Sequence, residues 1–221
     1  MAANFEPSLQ RIAAAFTERT GIEIAVVTGS TGQLYAQITR GAPFDVFLAA
    51  DTERPALLVE QGLAQPDDRF TYAVGKLVVW SPDMALAAIH ELADLTNVPI
   101  THAAIANPRL APYGAAAEQA MRASGVWDDL QTKLVFGQSV GQAFAMASSR
   151  NAEVAFVALA QVPRDSGSML LVPAELHAQL RQDAVLLRRA AQNVGPRALF
   201  DFLRSPAALA IIEADGYGTV Q

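Results

Sequence analysis

Short apolar runs alternate along this chain with helical stretches that stop at glycine, and that order constrains the fold more than any other property. Ile22-Glu23-Ile24-Ala25-Val26-Val27-Thr28 is brief and β-branched, the composition of a buried strand. Phe44 to Ala50, Phe70 to Trp80, His102 to Ala106, Lys133 to Phe136 and Val154 to Leu159 read the same way. In the first helical stretch Leu9, Ile12, Ala13 and Phe16 fall three and four apart, and Gly21 follows Thr20. A second runs from about Gly32 to Arg40 before Gly41, and a third from about Gly114 to Ser124 before Gly125. Strands alternating with helices imply βαβ units, with a mostly parallel sheet flanked by helices. A length of 221 residues, at about 150 residues per domain, fits one large domain or two modest lobes.

Ligands of such folds bind beyond the carboxyl ends of strands, where loops enter helix N-termini. Two of these junctions share a pattern. Ser30-Thr31-Gly32-Gln33-Leu34-Tyr35-Ala36 and Ser139-Val140-Gly141-Gln142-Ala143-Phe144-Ala145 both read S-x-G-Q-x-aromatic-A. Each follows an apolar run, and Ser with Gln three residues on has the spacing of a capping box. Ordinary helix caps account for either copy alone. The third junction, Asn107-Pro108-Arg109-Leu110-Ala111-Pro112-Tyr113-Gly114, is stiffened by two prolines and delivers Tyr113 at a helix start. The fourth is the N-terminus, where Asn4 reads as the N-cap of the helix carrying Leu9, Ile12 and Phe16.

A helix N-terminus carries about half a positive charge and several amide N–H groups without intrahelical partners. Several converging on one point hold an anion without a formal cation. Each hydrogen bond to a charged ligand contributes roughly 1.5–3 kcal/mol. Five to seven of them support micromolar binding, which corresponds to about −8.2 kcal/mol. Neutral donors suit an oxyanion that has no proton to give. Arg109, near the third loop, is expected to face solvent, and Glu6 to be turned away from the site.

These junctions belong to a longer series of segments. Ala2-Ala3-Asn4-Phe5 opens the first helix and Gly29-Ser30-Thr31-Gly32 the second. Tyr35 to Ile38, Gly41 to Phe47, Ala50-Asp51, Arg69 to Val78, Asn107 to Gly114, Ser139 to Gln142 and Phe156 to Gln161 follow. In order and spacing, over nearly the whole chain, they resemble the bacterial periplasmic molybdate-binding proteins, the solute receptors of ABC transporters. The resemblance implies a two-lobed, Venus-flytrap α/β fold that closes over tetrahedral molybdate or tungstate. The lobes would be 1–80 plus 182–221 and 81–181, with hinges near Trp80 and Arg181. It implies oxyanion contacts from Ala3 (backbone), Asn4, Ser30, Thr31, Tyr113 and the Val140 backbone N–H, with Ser139 beside them. Molybdenum would then be held as its oxyanion, with no metal ligand of its own and no cofactor. The implied partner is the membrane permease of the transporter, the implied location periplasmic, and the implied state a monomer. The resemblance also places an apolar strand just ahead of Ala2-Ala3-Asn4, where this chain has only Met1, so a sheet edge in the first lobe is expected to stand open. Ala3 stands where related chains often carry a hydroxyl, and Thr31 where serine is commoner.

Other chemistries find little here. The chain has 16 Lys+Arg against 22 Asp+Glu, a net charge of −6, and lysine only at Lys76 and Lys133, so nucleic acid is not an expected partner. No cysteine is present, which excludes disulfides and thiolate chemistry. His90, His102 and His177 have no ligand spacing. Neither a phosphate-binding G-x-x-x-x-G-K-[ST] nor a G-x-S-x-G elbow occurs. Asp45 and Asp51 flank a strand and are expected to cap the helix after it, with contact to the transporter as the alternative, and Phe200, Phe202, Leu203, Leu209, Ile211 and Ile212 to form helices packed on the first lobe. Met1 to Pro7 holds no basic or apolar leader stretch, and no run approaches the roughly 18 apolar residues of a membrane-spanning helix. The expectation is a soluble receptor and not an enzyme. A receptor for sulfate or another oxyanion, a cytoplasmic oxyanion sensor, and a hydrolase using Ser30 or Ser139 remain as alternatives.

Overall fold

The first helix, α1 (Glu6–Thr20), buries the stripe Leu9, Ile12 and Phe16 and stops at Gly21, as its periodicity predicts. The computed structural model describes residues 1–83, 86–163 and 166–219. After α1 come α2 (Thr31–Thr39), β1 (Val46–Leu48), α3 (Glu53–Glu60) and β2 (Ala64–Gly75). Next are β3 (Leu77–Ser81), β4 (Ala103–Ala106), α4 (Pro112–Ala123), α5 (Trp127–Leu130), β5 (Leu134–Gly137) and α6 (Val140–Ser148). The chain ends with β6 (Val154–Ala158), β7 (Ser168–Leu171), β8 (Leu180–Leu187), α7 (Val194–Phe202) and α8 (Pro206–Ala214). It divides into two compact units, Met1–Gly75 with Arg181–Gln221, and Lys76–Leu180.

In the first unit a three-stranded sheet has the order β1-β8-β2. The β1–β8 pair is antiparallel, with Val46 opposite Leu186 and Leu48 opposite Ala184. Leu34, Ile38, Phe47, Leu58, Val185 and Leu187 form one apolar cluster against it. The C-terminal helices pack where the sequence places them, with Phe202 5.5 Å from Phe16 and Phe200 5.0 Å from Phe70, ring to ring. Asp183, 2% exposed, is paired in this interior, with Arg69 donating to it at 2.6 Å and Thr71 at 2.7 Å.

In the second unit the order is β5-β4-β6-β3-β7. β4 runs parallel to β5 and β6, whereas β3 is antiparallel to β6 and β7. The sheets are therefore mixed, and the expectation of mostly parallel sheets holds only for β5-β4-β6. β3 and β8 start where the chain passes from one unit to the other, so no crossover helix within the unit forces them parallel to their neighbours.

Two strand expectations need correction. Phe70 to Trp80 is two strands separated at Lys76. β7, only four residues long, and β8, which carries Arg181-Gln182-Asp183, are strands not expected from the sequence. Ile22 to Thr28 is extended but joins no ladder, and Val26 and Val27 are 42% and 47% exposed. At its start Ile22 is hydrogen-bonded to the Thr17 and Thr20 hydroxyls, and at its end the Met1 ammonium donates to the Val27 carbonyl and Gly29 N–H donates to the Met1 carbonyl. Beside it lies a cavity of about 490 Å³ lined by Met1, Ile24, Val26, Phe44, Val46 and Leu48. A ladder needs a partner edge as well as strand propensity.

Candidate functional site

In the first unit the site begins with a single parallel bridge between Ala2 and Gly29. Ala2 N–H donates to the Leu48 carbonyl at 2.8 Å and Ala3 N–H to the Gly29 carbonyl at 3.0 Å. Because the pairing is parallel, the residues that follow each partner, Asn4 on one side and Ser30-Thr31 on the other, leave at the same end. All three are buried. The backbone donor expected from Ala3 is already committed to Gly29.

Ser30 caps α2 as its sequence predicts. Its Oγ accepts from Gln33 N–H at 3.3 Å, and Gln33 Oε1 accepts from Ser30 N–H at 3.4 Å. Leu34 N–H returns to the Ser30 carbonyl, so the Thr31 and Gly32 amides are not used by the helix ladder. Thr31 Oγ1 accepts from Ala50 N–H at 3.0 Å. A hydroxyl that accepts keeps its own hydrogen to donate, and both Ser30 and Thr31 are in that condition.

Asn4 corrects the sequence reading. It sits inside a short 3-10 turn, Ala3–Phe5, and α1 starts from Phe5 with no side-chain cap. The Asn4 side chain turns inward, and its Nδ2 donates to Gln182 Oε1 at 2.8 Å and to Tyr217 Oη at 3.1 Å. Tyr217 Oη in turn donates to the Asn4 carbonyl at 2.8 Å. The Phe5 ring holds this end by edge contacts to Tyr72 at 4.7 Å and Tyr217 at 5.6 Å. Gln182, Tyr72 and Tyr217 were not anticipated, since nothing in their local sequence separates them from ordinary strand or tail residues.

In the second unit β4 and β5 end side by side, with Ala106 opposite Gly137 and Asn107 N–H donating to the Gly137 carbonyl at 2.8 Å. Their following loops therefore start α4 and α6 from one edge of the sheet. Tyr113 is the second residue of α4 and is 1% exposed. α6 starts at Val140, also buried, after Ser139, whose Oγ accepts from Gln142 N–H at 3.3 Å. The second S-x-G-Q copy makes only half of a capping box, because Gln142 Oε1 accepts from Gln138 N–H at 2.6 Å instead. Two glycines permit this packing. A Cβ on Gly114 would stand 2.1 Å from the Ala106 carbonyl oxygen, and one on Gly137 2.8 Å from the Ala143 amide nitrogen. Arg109 is exposed, as expected, and its backbone N–H donates to Asn107 Oδ1 at 3.0 Å.

The structure thus brings Asn4, Ser30 and Thr31 together in one unit, and Tyr113, Ser139 and Val140 in the other. None of these residues is charged at neutral pH. Asp51 accepts from Arg54 N–H at 3.1 Å at the start of α3, the capping role expected of it, and burial pushes its carboxyl above the usual range. Among the described residues no group of His, Asp and Glu could hold a metal ion.

Residues 1–218 match the model of a family described as bacterial extracellular solute-binding protein. The chain is 47% identical over 220 residues to the molybdate-binding protein ModA of Rhodobacter capsulatus, covering 99% of this chain and 86% of that one. It is 43% identical over 222 residues to ModA of Azotobacter vinelandii, covering 99% and 88%. The fold superposes on the periplasmic molybdate-binding protein of Azotobacter vinelandii with a TM-score of 0.94, at 38% sequence identity, covering 100% of this chain and 97% of that one.

Proposed function

The chain belongs to the bacterial extracellular solute-binding proteins, and from that membership we propose that it captures molybdate or tungstate and delivers it to the membrane permease of an ABC transporter. It does so as a periplasmic monomer and catalyses no reaction. Asn4, Ser30 and Thr31 of the first unit and Tyr113, Ser139 and Val140 of the second are the proposed donors to the anion.

The observation that carries this reading is the pairing of near-complete likeness to molybdate-binding proteins with helix mouths built from neutral donors alone. Ser30, Thr31 and Ser139 each keep a hydroxyl hydrogen after capping or accepting locally. The first amides of α2 and α6 add N–H groups and the positive ends of two helix dipoles. Such a set stabilises charge that is already fully developed on oxygen and offers no carboxylate to receive a ligand proton. Proton-free tetrahedral dianions are the matching class. A hydrolase reading fails on its own requirement, since neither serine has histidine as its partner: each accepts a backbone N–H.

Calorimetric titration with molybdate, tungstate, sulfate and phosphate tests the proposal. Molybdate and tungstate are expected to bind at micromolar concentration or tighter, and sulfate and phosphate far more weakly. Equal binding of all four would remove the assignment.

A further inference from the structure

The turn after α8 enters the interior of the first unit. Gly216 is left-handed (φ 86°), its N–H donates to the Glu213 carbonyl at 2.9 Å, and Tyr217 N–H donates to the Ile212 carbonyl at 3.3 Å. That reversal buries Tyr217, 5% exposed, and lays Gly218 against β2, where it exchanges two hydrogen bonds with Val74 at 2.7 and 2.8 Å. Asp215, just before the reversal, is tied to α1 by the Ser8 hydroxyl at 2.5 Å and by Arg11.

Tyr217 Oη meets Asn4 at two atoms. It gives its hydrogen to the Asn4 carbonyl at 2.8 Å, so toward Asn4 Nδ2, 3.1 Å away, it accepts. Gln182 Oε1 accepts from the same Nδ2 at 2.8 Å. Both carboxamide hydrogens of Asn4 are thus engaged inside the first unit. In the main chain of this turn, Ala3 N–H donates to the Gly29 carbonyl at 3.0 Å and Phe5 N–H to the Ala2 carbonyl at 3.1 Å. These two bonds leave the Asn4 N–H between them unused, and an amide of that kind at a helix start is a donor for an anion.

We propose that Tyr217 is a positioning residue for the anion: by gripping Asn4 at its carbonyl and its carboxamide, it fixes the Ala3–Phe5 turn so that the Asn4 main-chain N–H stands ready at the helix mouth. The inference rests on the oxyanion-receptor reading and deepens it. Tyr217 acts through Asn4 and does not touch the anion. Its ring packs on Phe5 at 5.6 Å, so the apolar contact and the hydroxyl grip are separable.

Two variants separate positioning from stability. Tyr217→Phe removes the grip and keeps the ring, whereas Ser8→Ala loosens the same C-terminal turn through Asp215 and keeps the bonds of Asn4. Both are titrated calorimetrically with molybdate beside wild type, well below their unfolding midpoints. Tyr217→Phe should weaken binding about fivefold to twentyfold, the effect of one or two lost hydrogen bonds. Ser8→Ala should lower the unfolding midpoint and leave Kd within about twofold of wild type. Tyr217→Phe that fails to fold or binds as wild type does, or an equal loss in Ser8→Ala, would make Tyr217 a stabilising contact alone and overturn the inference, leaving the receptor reading intact. Wild type that binds no molybdate would overturn both. Asn4→Ala supplies a second measurement, because it keeps the main-chain N–H and removes the carboxamide that Tyr217 holds. In that background the loss caused by Tyr217→Phe should be smaller than in wild type by about threefold. Equal losses in the two backgrounds would show independent residues and overturn the inference. No detectable binding in Asn4→Ala would place the carboxamide itself on the anion and overturn it as well.

Discussion

The Ala106 carbonyl oxygen occupies the space where a side chain on Gly114 would begin, 2.1 Å from the ideal Cβ position. α4 can therefore reach the end of β4 only because position 114 has no Cβ, and that approach is what buries Tyr113 beside it. Gly114→Ala is expected to destabilise the second unit by about 3 kcal/mol, the range for forced overpacking. Urea unfolding at fixed pH measures it. A loss under about 0.5 kcal/mol, the scatter of an ordinary surface substitution, would show that the helix start shifts freely.

Thr31 and Tyr113 give the most direct test of the donor set. Thr31→Val keeps shape and removes both the hydroxyl hydrogen and the acceptor for Ala50 N–H. Tyr113→Phe removes a hydroxyl and little else. Each should weaken molybdate binding by about 1–3 kcal/mol, roughly 5- to 150-fold in Kd. Thr31→Ser should stay near wild type. Unchanged calorimetric affinity in both Thr31→Val and Tyr113→Phe would discard the site.

The two S-x-G-Q copies differ in a way that stability measurements resolve. Ser30 and Gln33 cap each other reciprocally, whereas Ser139 is served by Gln142 N–H alone. Ser30→Ala should cost about 1–2 kcal/mol and Ser139→Ala about 1 kcal/mol or less, within the range for lost N-caps. Thermal unfolding of the two variants compares them, and a larger loss at Ser139 would contradict the assignment.

Burial lowers the Met1 ammonium from 8.0 to about 6, with Glu6 opposing the shift only in part. The fold thus disfavours the charged form, and between pH 6 and pH 8 the unfolded chain binds the additional proton. Stability must rise with pH across that window and level off above it, by at most about 3 kcal/mol. Urea unfolding from pH 5.5 to 8.5 reads the slope. Stability that falls over the same window would contradict the burial of this group.

Much of the fold was legible because it depends on local pattern. The stripe in α1, the glycine stops and the helix mouths at Ser30 and Ser139 each follow from residues within one turn of one another. Ile22 to Thr28 was not, because a ladder depends on a second edge that local sequence does not describe. β8 was missed because Arg181-Gln182-Asp183 looks like a surface segment. Its interior place follows from Arg69 and Thr71, over a hundred residues earlier in sequence, which donate hydrogen bonds to Asp183. Asn4 was assigned to the site from its position at the first helix, yet the direction of its carboxamide depends on Gln182 and Tyr217, near the other end of the chain.

The central claim is that uncharged donors from both units hold one proton-free dianion. Anomalous diffraction at the molybdenum absorption edge, from crystals grown with molybdate, tests it most directly. The account predicts a single strong molybdenum peak whose oxygens lie within hydrogen-bond distance of both Thr31 Oγ1 and Tyr113 Oη, about 2.5–3.0 Å. A peak bound elsewhere, or one touching only one of those two hydroxyls, would contradict it.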